Sequence, residues 1–138
     1  MKKNHIKLND NEIDISKSDP NSSLLDWIRL EKQLHGTKEG CAEGDCGACS
    51  ILLSPVNGGK LRPANSCLLK LGQVAGSSVY TVEGLGSKKS PSPIQKSLTK
   101  FGGSQCGFCT PGFVIAITSL LNHKKNPTEI DIHDALAG

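Results

Sequence analysis

Aromatic side chains are scarce in this chain of 138 residues: one Trp, one Tyr and three Phe, 4% of the total. That leaves little material for a large aromatic core. Long apolar runs are missing as well. None approaches the ~20 residues that a bilayer span requires, and the stretch from Met1 to Asn11 lacks the apolar segment of a secretory signal. Charge of one sign is not in excess either: 16 Lys and Arg against 13 Asp and Glu leave a net +3. The longest basic runs, Lys2-Lys3, Lys88-Lys89 and Lys124-Lys125, read as solvated faces. These absences argue against a membrane protein and against a nucleic-acid binder. At 36% apolar residues the composition is that of a folded chain, long enough for one ordinary domain or two very small ones.

What the chain has in quantity is fifteen Gly and six Cys. An even number of cysteines raises the question of a disulfide scaffold, which small secreted domains use to supplement a thin core. With no export signal, a cytoplasmic location is expected, where thiols stay reduced. The cysteines are also clustered, at 41, 46, 49, 67, 106 and 109.

Alternating Ile6, Leu8, Ile13 and Ile15 around Asn9-Asp10-Asn11 predict a β-hairpin. Ser23 to Asp26 reads as a capping box opening a helix of about three turns, with Leu24, Trp27, Ile28 and Leu34 on one face. Gly36 to Cys49 has no period and reads as a loop. Ile51-Leu52-Leu53 and Val79 to Val82 read as strands, which gives a small mixed α+β domain. Gly84 to Ser92 has linker composition. Helices then follow: one from Ser92-Pro93 with Gln95 as the capping-box partner, one from Thr110-Pro111 that is apolar nearly all round and should be buried, and one from Thr128 with Asp131. The expected division is residues 1–86 and 87–138.

Cys41, Cys46 and Cys49 form C-x4-C-x2-C, with seventeen residues between Cys49 and Cys67. This is the plant-type spacing for a 2Fe–2S cluster. A loop that wraps an anionic cluster and turns backbone N–H groups toward its sulfurs needs small residues and positive φ; Gly40, Ala42, Gly44, Gly47 and Ala48 supply them. Zinc is the competing ligand of an all-sulfur site. Structural zinc sites usually pair two short C-x2-C knuckles, whereas here the two C-x2-C pairs lie far apart in the chain. Cys106 and Cys109 form the second pair, directly before a helix start whose free N–H groups favour thiolate. Two ligands cannot complete a second cluster. None of the four His shows ligand spacing to another, and no catalytic residue is assigned.

At these residues the chain resembles the iron–sulfur subunit of the molybdenum hydroxylases, most closely that of bacterial xanthine dehydrogenase. The matching stretches are Gly36 to Cys49, Asn65-Ser66-Cys67-Leu68, Thr81 to Leu85, and Gln105 to Gly112. The resemblance implies a ferredoxin-like β-grasp domain followed by a helical domain, part of a four-helix bundle, each carrying a 2Fe–2S cluster. Cys41, Cys46, Cys49 and Cys67 would hold the cluster nearer the flavin. Cys106 and Cys109 would supply half the ligands of the cluster nearer molybdenum, and Gln105 matches a position that contacts the pterin. Implied partners are a molybdopterin-binding large subunit and an FAD-binding domain or subunit. In the family, the helix matched by Glu129 to Gly138 leads into an Asn-Leu-Cys-Arg-Cys segment bearing the last two ligands, so a chain truncated at its C-terminus is expected. Cys106 and Cys109 would then be free thiols. The function implied is electron relay from the molybdopterin centre toward FAD and NAD. The alternatives are the iron–sulfur subunit of an aldehyde or carbon monoxide dehydrogenase relative, a stand-alone ferredoxin-like shuttle, and a zinc-stabilised structural module.

Overall fold

In β1 (His5–Leu8) Ile6 and Leu8 face the interior, and the next two residues, Asn9 and Asp10, take left-handed φ of 48° and 68°. A two-residue hairpin turn needs positive φ at both central positions, which Asn and Asp tolerate. The chain therefore folds straight back into β2 (Asn11–Asp14), in register from His5 opposite Asp14 to Leu8 opposite Asn11. The computed structural model describes residues 4–56 and 58–137.

The Ser23 hydroxyl accepts the Asp26 N–H (2.9 Å) and opens α1 (Leu24–Asp26), which continues as a wider π-helical turn over Trp27–Glu31. The three-turn expectation is too long. Gln33 adopts a φ of 56°, and Leu34 returns its N–H to the Ile28 carbonyl (3.0 Å), so Leu34 packs on the core from outside the helix.

The remaining strands are β3 (Ser50–Ser54), β4 (Arg62–Asn65) and β5 (Ser78–Tyr80). With the hairpin they form a five-stranded sheet in the order β2-β1-β5-β3-β4. β5 runs parallel to β1 and antiparallel to β3, and β4 is antiparallel to β3. β4 was not anticipated, since Arg-Pro-Ala-Asn has no apolar alternation. It lies on the sheet edge, where the missing N–H of Pro63 is tolerated. Ile6, Leu8, Ile15, Leu24, Trp27, Ile28, Ile51, Leu71, Val74 and Val79 form one buried cluster between sheet and helix. The only Trp lies in it, with its indole N–H donating to the Ser18 hydroxyl (3.2 Å).

The later helices begin where their caps predict. Ser92 and Gln95 cap each other's backbone at the start of α2 (Pro93–Lys100), and Thr128 and Asp131 do the same for α4 (Glu129–Leu136). Between them, α3 (Thr110–His123) lies against β3, β4 and the short turn Val82–Gly84, and packs with α2 and α4. Its end is tied to the approach to β4 by His123 Nε2 and the Leu61 carbonyl (2.8 Å). Val114 and Ile115 are buried, but Phe113 and Leu121 keep 39% and 44% of their surface. The full burial expected of α3 is therefore met on one side only. The architecture is mixed α+β, and no helix among the described residues is long and apolar enough to cross a membrane.

Candidate metal centre

The loop from Gly36 to Cys49 is fastened at its neck before it carries any sulfur. Gly36 donates its N–H to Glu83 Oε1 (2.7 Å), Arg29 Nη1 donates to the Thr37 carbonyl (2.7 Å), and Lys38 donates to the Ala48 carbonyl (3.0 Å). Within the loop Ala42, Gly44 and Gly47 have φ of 57°, 81° and 69°, the left-handed turns that aim successive N–H groups inward. The Cys41 sulfur accepts three of them, from Glu43 (3.4 Å), Asp45 (3.3 Å) and Cys46 (3.4 Å). These N–H groups, that of Cys46 foremost, draw the Cys41 thiol from 9.0 down to about 7. Gly40 serves by its size rather than its φ: a Cβ there would stand 2.7 Å from the Cys46 sulfur.

Cys67 reaches the same place from the end of β4. Its neighbour Ser66, fully buried, donates both its hydroxyl (2.7 Å) and its N–H (3.3 Å) to the Cys49 carbonyl. Asn65 donates its side-chain amide to the Gly44 carbonyl (2.9 Å). Burial, followed by the adjoining Cys49 thiol and with a further contribution from Cys41, pushes the Cys67 thiol up to about 11, against the pull of the Gly44 N–H. The structure thus brings Cys41, Cys46, Cys49 and Cys67 together as neighbours, with Cys49 buried and Cys46 exposed.

Among the described residues no three His, Cys, Asp or Glu side chains converge on a point that a single metal ion could occupy. A 2Fe–2S cluster spreads four thiolates over two iron atoms. The four sulfurs, the inward N–H groups and the side-chain-free position at Gly40 fit that group in number and chemistry.

Cys106 and Cys109 lie on the loop entering α3, bent by Gly107 (φ 85°) and closed by a 2.7 Å hydrogen bond between the Ser104 and Thr110 hydroxyls. Cys109 occupies the position just before the helix. Both thiols are exposed, as is Gln105. A cavity of about 650 Å³ is lined by Cys46 and Gly47 from the first loop, by Asn65 from β4, and by Cys109, Gly112 and His123 from the helical side. The two cysteine groups thus open onto one space. Sequence reasoning missed what the Arg29 guanidinium and the Ser66 hydroxyl do here, because each bond joins residues that carry no local pattern in common.

A family profile described as "[2Fe-2S] binding domain" matches residues 81–138. Aldehyde oxidase 1 of Bos taurus is 44% identical over 125 residues, which cover 87% of this chain and 9% of that protein. Xanthine dehydrogenase of Blastobotrys adeninivorans is 43% identical over 129 residues, 90% of this chain and 9% of that protein. The crystal structure of quinoline 2-oxidoreductase from Pseudomonas putida 86 has a chain that superposes with a TM-score of 0.82 at 30% identity, covering 97% of this chain and 78% of that one. The chain spans about a tenth of the length of the curated relatives it matches.

Proposed function

This chain belongs to the iron–sulfur components of the molybdenum hydroxylases, the group that includes xanthine dehydrogenases and aldehyde oxidases, and from that premise we propose that it is the electron-relay part of such an enzyme. The observation that carries the reading is the Cys41 sulfur with three backbone N–H groups aimed at it, the Cys46 and Cys67 thiols near it and the Cys49 thiol against that of Cys67. Residues 1–86 form a ferredoxin-like β-grasp unit, in which Cys41, Cys46, Cys49 and Cys67 hold one 2Fe–2S cluster. Residues 87–138 form part of a helical bundle, in which Cys106 and Cys109 contribute to a second. A 2Fe–2S cluster supplies one-electron storage at a potential set by its hydrogen bonds and exposure.

The residues around it perform the other tasks. The N–H groups of Glu43, Asp45 and Cys46 stabilise negative charge on sulfur. Buried Cys49 and half-buried Cys67 keep water from one side, and exposed Cys46 faces the cavity shared with Cys109. Gln105, exposed beside Cys106, would be the residue that meets the pterin. The partners are a molybdopterin-bearing part and an FAD-bearing part, in the cytoplasm. Aldehyde oxidase and xanthine dehydrogenase relatives match at nearly equal identity, and we assign the choice of substrate to the part that carries molybdenum.

Anaerobic reconstitution tests the reading. The chain should become red-brown, contain about two iron and two sulfide, and give one EPR signal after reduction. Serine at Cys41, Cys46, Cys49 or Cys67 should each abolish that signal, whereas serine at Cys106 or Cys109 should leave it. A colourless protein that takes up zinc in place of iron would overturn it.

A further inference from the structure

Gly112, the third residue of α3, meets the first loop backbone to backbone. A Cβ on it would lie 2.8 Å from the Gly47 carbonyl oxygen, 3.6 Å from its carbon and 3.8 Å from Ala48 Cα. The carbonyl is not free to swing aside. It accepts the Ser50 N–H (3.1 Å) and the Ser50 hydroxyl (2.7 Å), and Gly47 itself is held in a left-handed turn. Ala48 is buried, and its carbonyl is taken by Lys38 at the loop neck. On the other side, Gly112 is fixed in a helical turn that Phe113 closes onto the Cys109 carbonyl (3.2 Å). Cys46 is the residue before Gly47, Cys109 stands three before Gly112, and both line the shared cavity.

We propose that the contact of Gly112 with the Gly47 carbonyl sets the separation of the two cysteine groups, and that Gly112 is a positioning residue for electron passage between them. The inference rests on the relay reading given above. The step governed by this distance transfers one electron. Cys106 and Cys109 would supply part of the ligand set of one 2Fe–2S centre and Cys41, Cys46, Cys49 and Cys67 the whole set of the other; the first would lose the electron and the second gain it, with no bond made or broken. Such transfer falls steeply with distance, so the residue that lets two backbones touch controls its rate without touching either centre. Any side chain at 112 must push α3 off the loop, because the loop side of the contact is hydrogen-bonded in place.

The test is a distance measurement. In the full chain, Cys106→Ser leaves Cys109 as the thiol outside the first site. After reconstitution, a reduction-resistant trityl label on Cys109 and the reduced cluster form a spin pair for pulsed EPR. Gly112→Ala should lengthen the mean distance by about 1 Å, the movement that opens 2.8 Å to an ordinary carbon contact of about 3.5–4.0 Å. Gly112→Val should lengthen it further. Adding Ser50→Ala to Gly112→Ala should recover part of the change, because the Gly47 carbonyl then loses the shorter of its two bonds. The same series in the cluster-free chain, labelled at Cys46 and Cys109 with the other four cysteines as Ser, reads the separation without iron. Unchanged distances across Gly, Ala and Val at 112, in either form, would overturn the inference. Failure of the unsubstituted chain to take up iron and sulfide would overturn the relay reading instead, while the cluster-free series would still decide the contact.

Discussion

Ser66→Ala removes one oxygen atom from the centre of the sulfur site and should be felt in two ways. The Ser66 side chain is fully buried, and its hydroxyl is bonded to the Cys49 carbonyl at 2.7 Å. Loss of a buried neutral hydrogen bond costs about 0.5–1.5 kcal/mol net, and more where the partner is left with nothing. The Cys49 carbonyl keeps the Ser66 N–H at 3.3 Å, so it is weakened rather than orphaned. The expected destabilisation is therefore about 1–1.5 kcal/mol. For a chain of this length that lowers the thermal midpoint by about 4 °C. The assay is urea unfolding of the cluster-free chain under reducing conditions, with m unchanged. Ser54→Ala, which deletes an exposed hydroxyl bonded to the Gly59 carbonyl at 3.1 Å, is the comparison and should cost under about 0.5 kcal/mol. Because Ser66 joins the loop bearing Cys49 to the strand end bearing Cys67, the reconstituted variant should also release iron to a chelator faster than the unsubstituted chain. Equal stability for the two serine variants, or equal iron release, would show that this bond does not hold the two segments together.

Further outcomes are expected. In the cluster-free chain Cys41 should be the first thiol alkylated at pH 7.5 and Cys67 the last, read by mass spectrometry; equal rates at the two would refute the part given to the loop N–H groups. The fold lowers the Cys41 pKa, so its contribution to stability is complete above about pH 9 and is lost as pH falls through about 7. Gly40→Ala should strip iron from the reconstituted chain while leaving cluster-free stability nearly unchanged, because its Cβ would displace the Cys46 sulfur; full iron content would contradict it. Ile115→Ala, at a fully buried position on α3, should cost about 2–5 kcal/mol and lower a single unfolding transition; two separate transitions would show that the helical half unfolds alone. Asp131 is held down to about 2 by the Lys124 ammonium and the Thr128 hydroxyl and N–H. Its capping of α4 should be complete above about pH 4 and lost toward pH 2, with helix content read by circular dichroism, and Asp131→Asn should remove the pH dependence.

The features legible in the sequence were those that report locally. Ser23, Ser92 and Thr128 mark helix starts because the capping bond spans three residues. The spacing of Cys41, Cys46, Cys49 and Cys67 marked these four as one group, and the structure places them as neighbours. Gly44 and Gly47 read correctly as turn positions, while Gly40 proved to be required for space. What was hidden depends on partners distant in the chain. β4 is a strand only because Ser50 to Leu53 pair with it. The end of α1 is set by Gln33 entering a left-handed conformation that its neighbours do not announce. The Ser66, Asn65 and Gly112 contacts cross 17, 21 and more residues, beyond any periodicity.

The strand order carries a consequence for the time course of synthesis. β1 pairs with β2 and β3 with β4, but these two pairs touch only through β5, the last strand to be made. Until Tyr80 leaves the ribosome the nascent chain holds two separate hairpins, and an isolated two-stranded ribbon is at best marginally stable in water. Cys41, Cys46, Cys49 and Cys67 have all been synthesised by then, but only the β3–β4 hairpin joins the loop to the strand end, and Glu83, which fastens the loop neck at Gly36, has not been made. Closure by β5 requires pairing with β1 some seventy residues back, a slow, high-contact-order event. On the proposed reading, iron delivered before that closure meets thiols on a loop not yet fastened at its neck, so assembly would be timed by a three-residue strand that contains none of the four cysteines.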